Sequence, residues 1–201
     1  MKIKNFQNKD EWLNARLCKI TGSRLKDLVV KRGNGKKKGF YELIAERIST
    51  IPDGENPLER GNRLETVALA RFEQETGKKV DPSLVLWQRE DNEDIAVSPD
   101  GVVSNEEACE VKCLSSASHI EAYLTHTIPS EYELQTRQYF IVNDELQTLN
   151  VIFYDPRVLV KDYFVLTVHR SEIEEEISDY LQYQKDTLAE VEEIVKQLTN
   201  F

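Results

Sequence analysis

Ser98-Pro-Asp-Gly-Val-Val-Ser-Asn-Glu-Glu-Ala-Cys-Glu-Val-Lys112 is the most informative segment of this 201-residue chain. A Pro-Asp-Gly turn opens it, and Glu110-Val-Lys112 closes it. In a strand, alternate side chains share a face. Glu110 and Lys112 therefore point one way, while Cys109, Val111 and Cys113 point the other and suit a core. A strand with one apolar face that simply shows Glu110 and Lys112 to water is the plainer reading. Three features weigh against it. Asp100 sits in the turn leading into the preceding strand, so a hairpin brings its carboxylate beside Glu110. Two close carboxylates repel, and a divalent cation relieves that repulsion. Oxygen ligands without His or Cys favour Mg²⁺ or Mn²⁺ over zinc, and none of the three histidines lies near this motif.

Upstream, a helix is predicted over 58–76, with Leu64, Val67, Ala68 and Phe72 as its apolar stripe and Gly77 just past its end. Glu65 belongs to this helix. Its neighbours at i+3, i+4 and i+7 are Ala68, Leu69 and Phe72. A carboxylate on such a flank either faces something cationic or snorkels at the edge of the stripe. Strands are predicted over 84–89, 94–98, 101–103, 108–114, 148–154 and 163–168. Further helices are predicted over 8–17, 21–30, 40–49, 119–124 and 130–142, the last with Pro129 at its start. Residues 31–39, Lys-Arg-Gly-Asn-Gly-Lys-Lys-Lys-Gly, read as a basic glycine-rich loop. From residue 171 onward, Ile173, Ile177, Tyr180, Leu188, Val191, Val195 and Leu198 follow helical spacing. The order helix, strands, helix, strands implies an α/β fold with a central mixed sheet flanked by helices. One domain, 1–201, is expected: a basic helical part at 1–50, a core at 57–169 and an acidic amphipathic helix at 170–201.

Composition narrows the function classes. The chain is 40% apolar, enough for a sizeable core. No apolar run reaches eighteen residues, which excludes a membrane-spanning helix, and the start lacks the apolar stretch of a signal peptide. Three cysteines are too few for a disulfide scaffold or a four-Cys metal cluster, which points to a reducing cytoplasm. The net charge of −10 argues against a general nucleic-acid binder. That mean conceals an asymmetry: residues 1–47 carry thirteen Lys/Arg against five Asp/Glu, whereas 170–201 carry three against nine. A local anion-binding face on an acidic body follows, unless the lysines are a chance surface excess.

A proline–aspartate turn followed by Glu-X-Lys resembles the PD-(D/E)XK nuclease signature, a weak pattern when alone. Its context is fuller. Trp12…Arg16-Leu17, Ile20-Thr-Gly-Ser-Arg-Leu25, Gly61-Asn-Arg-Leu-Glu65, the Ser98 and Glu110 motifs, Leu134-Gln-Thr-Arg-Gln-Tyr139 and Tyr154-Asp-Pro-Arg157 occur in order. Over roughly residues 10–157 they resemble the lambda-type phage exonuclease, or YqaJ-like viral recombinase, family.

The resemblance implies a restriction-endonuclease-like PD-(D/E)XK core and a 5′-to-3′ exonuclease acting on ends of double-stranded DNA. It implies dependence on Mg²⁺, two ions per site, with Mn²⁺ able to substitute. It further implies a ring-shaped homotrimer, a single-strand annealing protein as partner, and a phage or prophage protein in a bacterial cytoplasm. By position, Asp100, Glu110 and the Val111 carbonyl are implied metal ligands, Glu65 a further acid, and Lys112 a neighbour of the attacking water. Arg16, Ser23, Ser98 and Gln135 match residues around the terminal 5′-phosphate. Arg32 is a looser match near a strand-splitting wedge, and Lys36, Lys37, Lys38 and Gln138 join it as DNA contacts. Without the resemblance, Arg16 reads as a surface ion pair and Ser23 as a helix cap. An endonuclease of the same superfamily and a non-catalytic DNA-end-binding module stay open, whereas an iron–sulfur nuclease needs a fourth cysteine.

Overall fold

The computed structural model describes residues 35–48 and 57–199. Its elements are α1 (Lys38–Ile48), α2 (Pro57–Thr76), β1 (Trp87–Gln88), β2 (Ala96–Val97), β3 (Gly101–Ser104) and β4 (Glu107–Lys112). Then follow α3 (Ser116–Thr125), α4 (Ser130–Val142), β5 (Thr148–Tyr154), β6 (Tyr163–His169) and α5 (Arg170–Thr199). The helices expected over 8–17 and 21–30 lie outside the described residues.

β3, β4, β5 and β6 form one sheet in that order. β3 and β4 are an antiparallel hairpin, β4 and β5 run parallel, and β5 and β6 are antiparallel. A parallel pair needs a long crossover, which α3 and α4 supply. The sheet is mixed, as the element order implied.

Side-chain alternation sorts the two faces. Cys109 and Ile152 pack with Ala68, Leu69 and Phe72 of α2. Ala108, Leu149, Val151 and Phe153 pack with Tyr139 and Phe140 of α4 and Ile173 of α5. β5 is covered on both faces, which is why it reads as a nearly continuous apolar run. Truncating Phe72 or Phe140, both buried, to alanine would cost about 3–5 kcal/mol.

Local signals set the boundaries. Gly77 adopts φ +73 just after α2, and its N–H reaches the Glu73 carbonyl at 2.8 Å, a left-handed helix stop. Ser115 caps α3 by accepting from the Ser118 N–H at 3.2 Å, so this helix starts before the expected residue 119. β4 ends at Lys112 rather than 114, because the Arg157 guanidinium takes the Leu114 carbonyl at 3.1 Å. The strands expected over 84–89 and 94–98 contract to β1 and β2, a separate two-stranded ribbon. Leu84 is fully exposed and Leu86 mostly so, so that apolar run has no core to pair it.

The described part of α5 has a clear use. Ile173 and Ile177 join the sheet core, and Leu181 and Leu188 pack toward Ile95, Ile141 and Val142. No helix among the described residues is long and apolar enough to cross a membrane.

Candidate active site

The β3–β4 hairpin brings Asp100 to the C-terminal end of β4. Gly101 pairs with Cys109, and Asp100 Oδ2 accepts from the Val111 N–H at 2.7 Å. A Cβ on Gly101 would collide with Val80 Cγ1, so the glycine of this turn admits a close neighbour. Glu110 is 3% exposed and faces α4. There Gln135 Nε2 donates to Glu110 Oε1 at 2.8 Å, and the Tyr139 hydroxyl donates to Glu110 Oε2. Lys112 Nζ lies 2.5 Å from Glu110 Oε1 and 2.8 Å from Gln135 Oε1. It also sits 4.4 Å from the centroid of the Tyr132 ring. Glu65, half-buried on α2, lies near enough to be influenced by the Glu110 charge.

These carboxylates oppose one another's ionisation. Burial, then the Glu110 charge, pushes Asp100 up to about 7; Glu65 adds to this, and the Val111 N–H opposes it. Burial and the Glu110 charge also raise Glu65. Crowded negative charge on hard oxygen donors is relieved by a hard divalent cation, so the donor set fits one. Among the described residues no three His, Cys, Asp or Glu side chains already converge as a cage. Lys112 instead neutralises Glu110 and stands where a cation would compete.

The other expected site residues divide. Arg16, Ser23 and Arg32 lie outside the described residues. Ser98 donates its hydroxyl to the Val85 carbonyl, and its own carbonyl accepts from Tyr139 at 3.2 Å. Ser98 is thus one side chain away from Glu110. Gln135 is within the cluster. Gln138 is not brought to it: its amide exchanges 2.9 Å hydrogen bonds with Gln184 and reaches the Ala96 carbonyl at 3.3 Å. That pairing holds α4 to α5. Lys36, Lys37 and Lys38 are exposed at the start of α1, with Lys36 over the Phe40 ring.

Tyr132 and Tyr139 have no role in the sequence reading, yet both touch the cluster. Their signal was available: Tyr132, Gln135 and Tyr139 fall at i, i+3 and i+7, one face of a helix.

Residues 11–145 match the family described as YqaJ-like viral recombinase domain. The uncharacterized protein YqaJ of Bacillus subtilis (strain 168) is 27% identical over 135 residues. That match covers 66% of this chain and 41% of the relative, so the chain spans about two fifths of its length. Among solved structures, an alkaline exonuclease, LHK-Exo, from Laribacter hongkongensis is 28% identical with a TM-score of 0.56. The match covers 95% of this chain and 100% of that one. LHK-Exo in complex with dAMP matches at 29% identity and the same TM-score and coverage. The architecture is therefore the PD-(D/E)XK fold of phage-type exonucleases. A match extending from residue 11 to residue 145, over most of the chain, makes this protein a member of the YqaJ-like viral recombinase domain family.

Proposed function

We propose that the protein is a Mg²⁺-dependent 5′-to-3′ exonuclease that digests one strand of duplex DNA from its end. The 3′ single strand it leaves is the substrate of an annealing protein in recombination. The observation that carries this reading is the pairing of Asp100 and Glu110 with Lys112 at the end of β4, with Glu65 within reach of their charges. Asp100 and Glu110, with the Val111 carbonyl and Glu65 beside them, would hold the cation. A bound divalent cation supplies an acidified water and charge for the leaving oxygen.

Lys112 donates to Glu110 and Gln135 and lies over the Tyr132 ring. Those are the contacts of an ammonium, and they suit charge stabilisation and water positioning rather than proton abstraction. Gln135 uses both ends of its amide, one on Lys112 and one on Glu110, so it fixes their separation. Ser98 and Gln135 flank the cluster, where a terminal 5′-phosphate would be gripped together with Arg16 and Ser23. The neighbour solved with dAMP, a nucleoside monophosphate, supports such a grip. Exposed Leu84, Leu159 and Val160 supply apolar surface that a homotrimer would cover. The basic N-terminal third and acidic remainder would confine DNA to one path, since each phosphate contact deepens salt-sensitive affinity.

Digestion of a linear duplex and a closed circle of the same sequence, each with Mg²⁺, tests this reading. An exonuclease degrades the linear form and spares the circle. Cutting of the circle would replace the proposal with an endonuclease, and binding without cutting would replace it with an end-binding module. Ends carrying a 5′-phosphate should be digested faster than 5′-hydroxyl ends, and Arg16→Ala should remove most of that difference.

A further inference from the structure

We propose that Tyr139 is a positioning residue that sets which oxygen of Glu110 is offered to a cation. The inference rests on the metal-dependent reading above and deepens it.

Tyr139 is 0% exposed. A buried phenol needs an acceptor, and this one has Glu110 Oε2 and the Ser98 carbonyl. Its ring is wedged by Trp87, edge-on at 6.3 Å between centroids, and is buried in the core shared by α4 and the sheet. The ring has no room to swing, so its hydroxyl is a fixed point.

The two oxygens of Glu110 are therefore unequal. Oε1 faces Lys112 and Gln135, two long side chains that reach in from the rim. Both can move aside without opening the core. Oε2 faces a hydroxyl that cannot. Oε1 is thus the oxygen whose partners could give way to a cation, while Oε2 would stay tied. The tie also connects the carboxylate to the backbone of Ser98, through a single hydroxyl. Groups that orient a ligating carboxylate in this way typically change metal affinity by about 10–100-fold when removed.

Another buried tyrosine provides the control. Tyr163 is buried on the opposite face with α2, and its hydroxyl has no hydrogen-bond partner among the described residues. Removing that hydroxyl deletes the same atom from a comparable environment but touches no carboxylate of the site.

The experiment is a Mn²⁺ titration of the DNA-free protein by calorimetry, comparing wild type, Tyr139→Phe and Tyr163→Phe, with thermal unfolding recorded for each. Tyr139→Phe should weaken Mn²⁺ binding about 10–100-fold, and Tyr163→Phe should leave it within twofold. In the exonuclease assay the half-saturating Mg²⁺ concentration should rise by the same factor for Tyr139→Phe. KM for DNA ends should stay unchanged, and the rate should recover at high Mg²⁺. Trp87→Leu, which frees the ring without touching the hydroxyl, should weaken Mn²⁺ binding by roughly two- to fivefold, a smaller effect than losing the hydroxyl itself. This second variant keeps the test decisive if Tyr139→Phe folds poorly. Unchanged Mn²⁺ affinity in folded Tyr139→Phe, or equal loss in both tyrosine variants, would overturn the positioning role. A wild-type protein that binds no Mn²⁺ would overturn the metal-dependent reading itself and this inference with it.

Discussion

Two triplets of the form acid–x–base lie at the ends of neighbouring parallel strands. Glu110-Val-Lys112 closes β4, and Asp155-Pro-Arg157 follows β5. Both acids are buried, and each has its base two residues on. Both also have side-chain donors on each oxygen, Glu110 from Lys112, Gln135 and Tyr139; they differ in the balance of charge around them. Asp155 accepts from the Arg157 guanidinium on both oxygens, at 2.7 and 2.9 Å, and from the Ser116 hydroxyl at 2.7 Å. Burial would raise its carboxyl, but these donors outweigh burial and hold it below the usual range. The Glu110 group has more carboxylates than cations, and burial, then the Glu110 charge, pushes Asp100 up to about 7. A carboxylate matched by its own guanidinium is a structural lock. A crowd of carboxylates left in excess is poised to receive positive charge from outside.

The sharpest way to break this comparison is to neutralise each side. Asp100→Asn, Glu110→Gln and Lys112→Ala should each reduce DNA digestion by about three orders of magnitude, the several kcal/mol that metal-assisted stabilisation supplies. Asp100→Asn and Glu110→Gln should not lower the thermal midpoint appreciably, since removing a carboxylate relieves repulsion, whereas Lys112→Ala should lower it, since it leaves the buried Glu110 without its cation. Full activity in any of the three would dissolve the assignment. Asp155→Ala should do the reverse. It strands the half-buried Arg157 and should lose about 3–5 kcal/mol in urea unfolding, while activity per folded molecule falls by less than tenfold. A stable Asp155→Ala protein without activity would mean that the lock belongs to the site.

The contrast also explains what could be read from residue order alone. Strand periodicity placed Glu110 and Lys112 together, and the Pro-Asp-Gly turn placed Asp100 beside them, because hairpin geometry is local. The apolar flank of Glu65 left two readings, a cationic neighbour or a snorkelling edge, and the side chain is half-buried within reach of the Glu110 charge. Donor supply is not local. Tyr154-Asp-Pro-Arg157 stood in the sequence as a motif without a task, since Ser116 at the start of α3 and the Leu114 carbonyl just after β4 lie about forty residues away. Gln138 looked like a DNA contact because it follows Gln135, yet three residues along a helix bring it to Gln184 of α5. Helical spacing after residue 171 does not say what the apolar side of the C-terminal helix covers. Its burial of Ile173 and its packing of Leu181 and Leu188 give the described part to the core, a choice that spacing alone cannot make.

Acid sharpens the comparison further. The folded-state carboxyl of Asp155 lies below its unfolded value of about 3.9. Its contribution to stability is therefore complete above that unfolded value and is lost as pH falls through the folded one. The stability gap between wild type and Asp155→Asn, measured by urea unfolding, should be constant from pH 8 to about 5 and narrow below about pH 4. A gap that persists undiminished at the lowest pH of the series would show that Asp155 contributes by shape and not by charge.

The smallest expected effect concerns the bases. Arg157 makes three kinds of contact at once: both Asp155 oxygens, and the Leu114 carbonyl at 3.1 Å. A planar fork can serve all of them, whereas an ammonium is a point donor. Arg157→Lys keeps the charge but cannot reach the carboxylate and the carbonyl together. It should cost about 1–2 kcal/mol, the worth of one charged hydrogen bond, with activity unchanged. Lys112 is the opposite case. Its Nζ is a compact charge between Glu110 Oε1 and Gln135 Oε1, over the Tyr132 ring. A guanidinium is too broad for that seat, so Lys112→Arg should lower activity strongly, at a stability cost of about 1 kcal/mol, the low end for an oversized side chain whose charge is kept. Unfolding and digestion measured side by side on the two charge-conserving variants separate the roles. If Arg157→Lys lost activity and kept stability, or Lys112→Arg lost stability and kept activity, the two triplets would have to exchange their assignments.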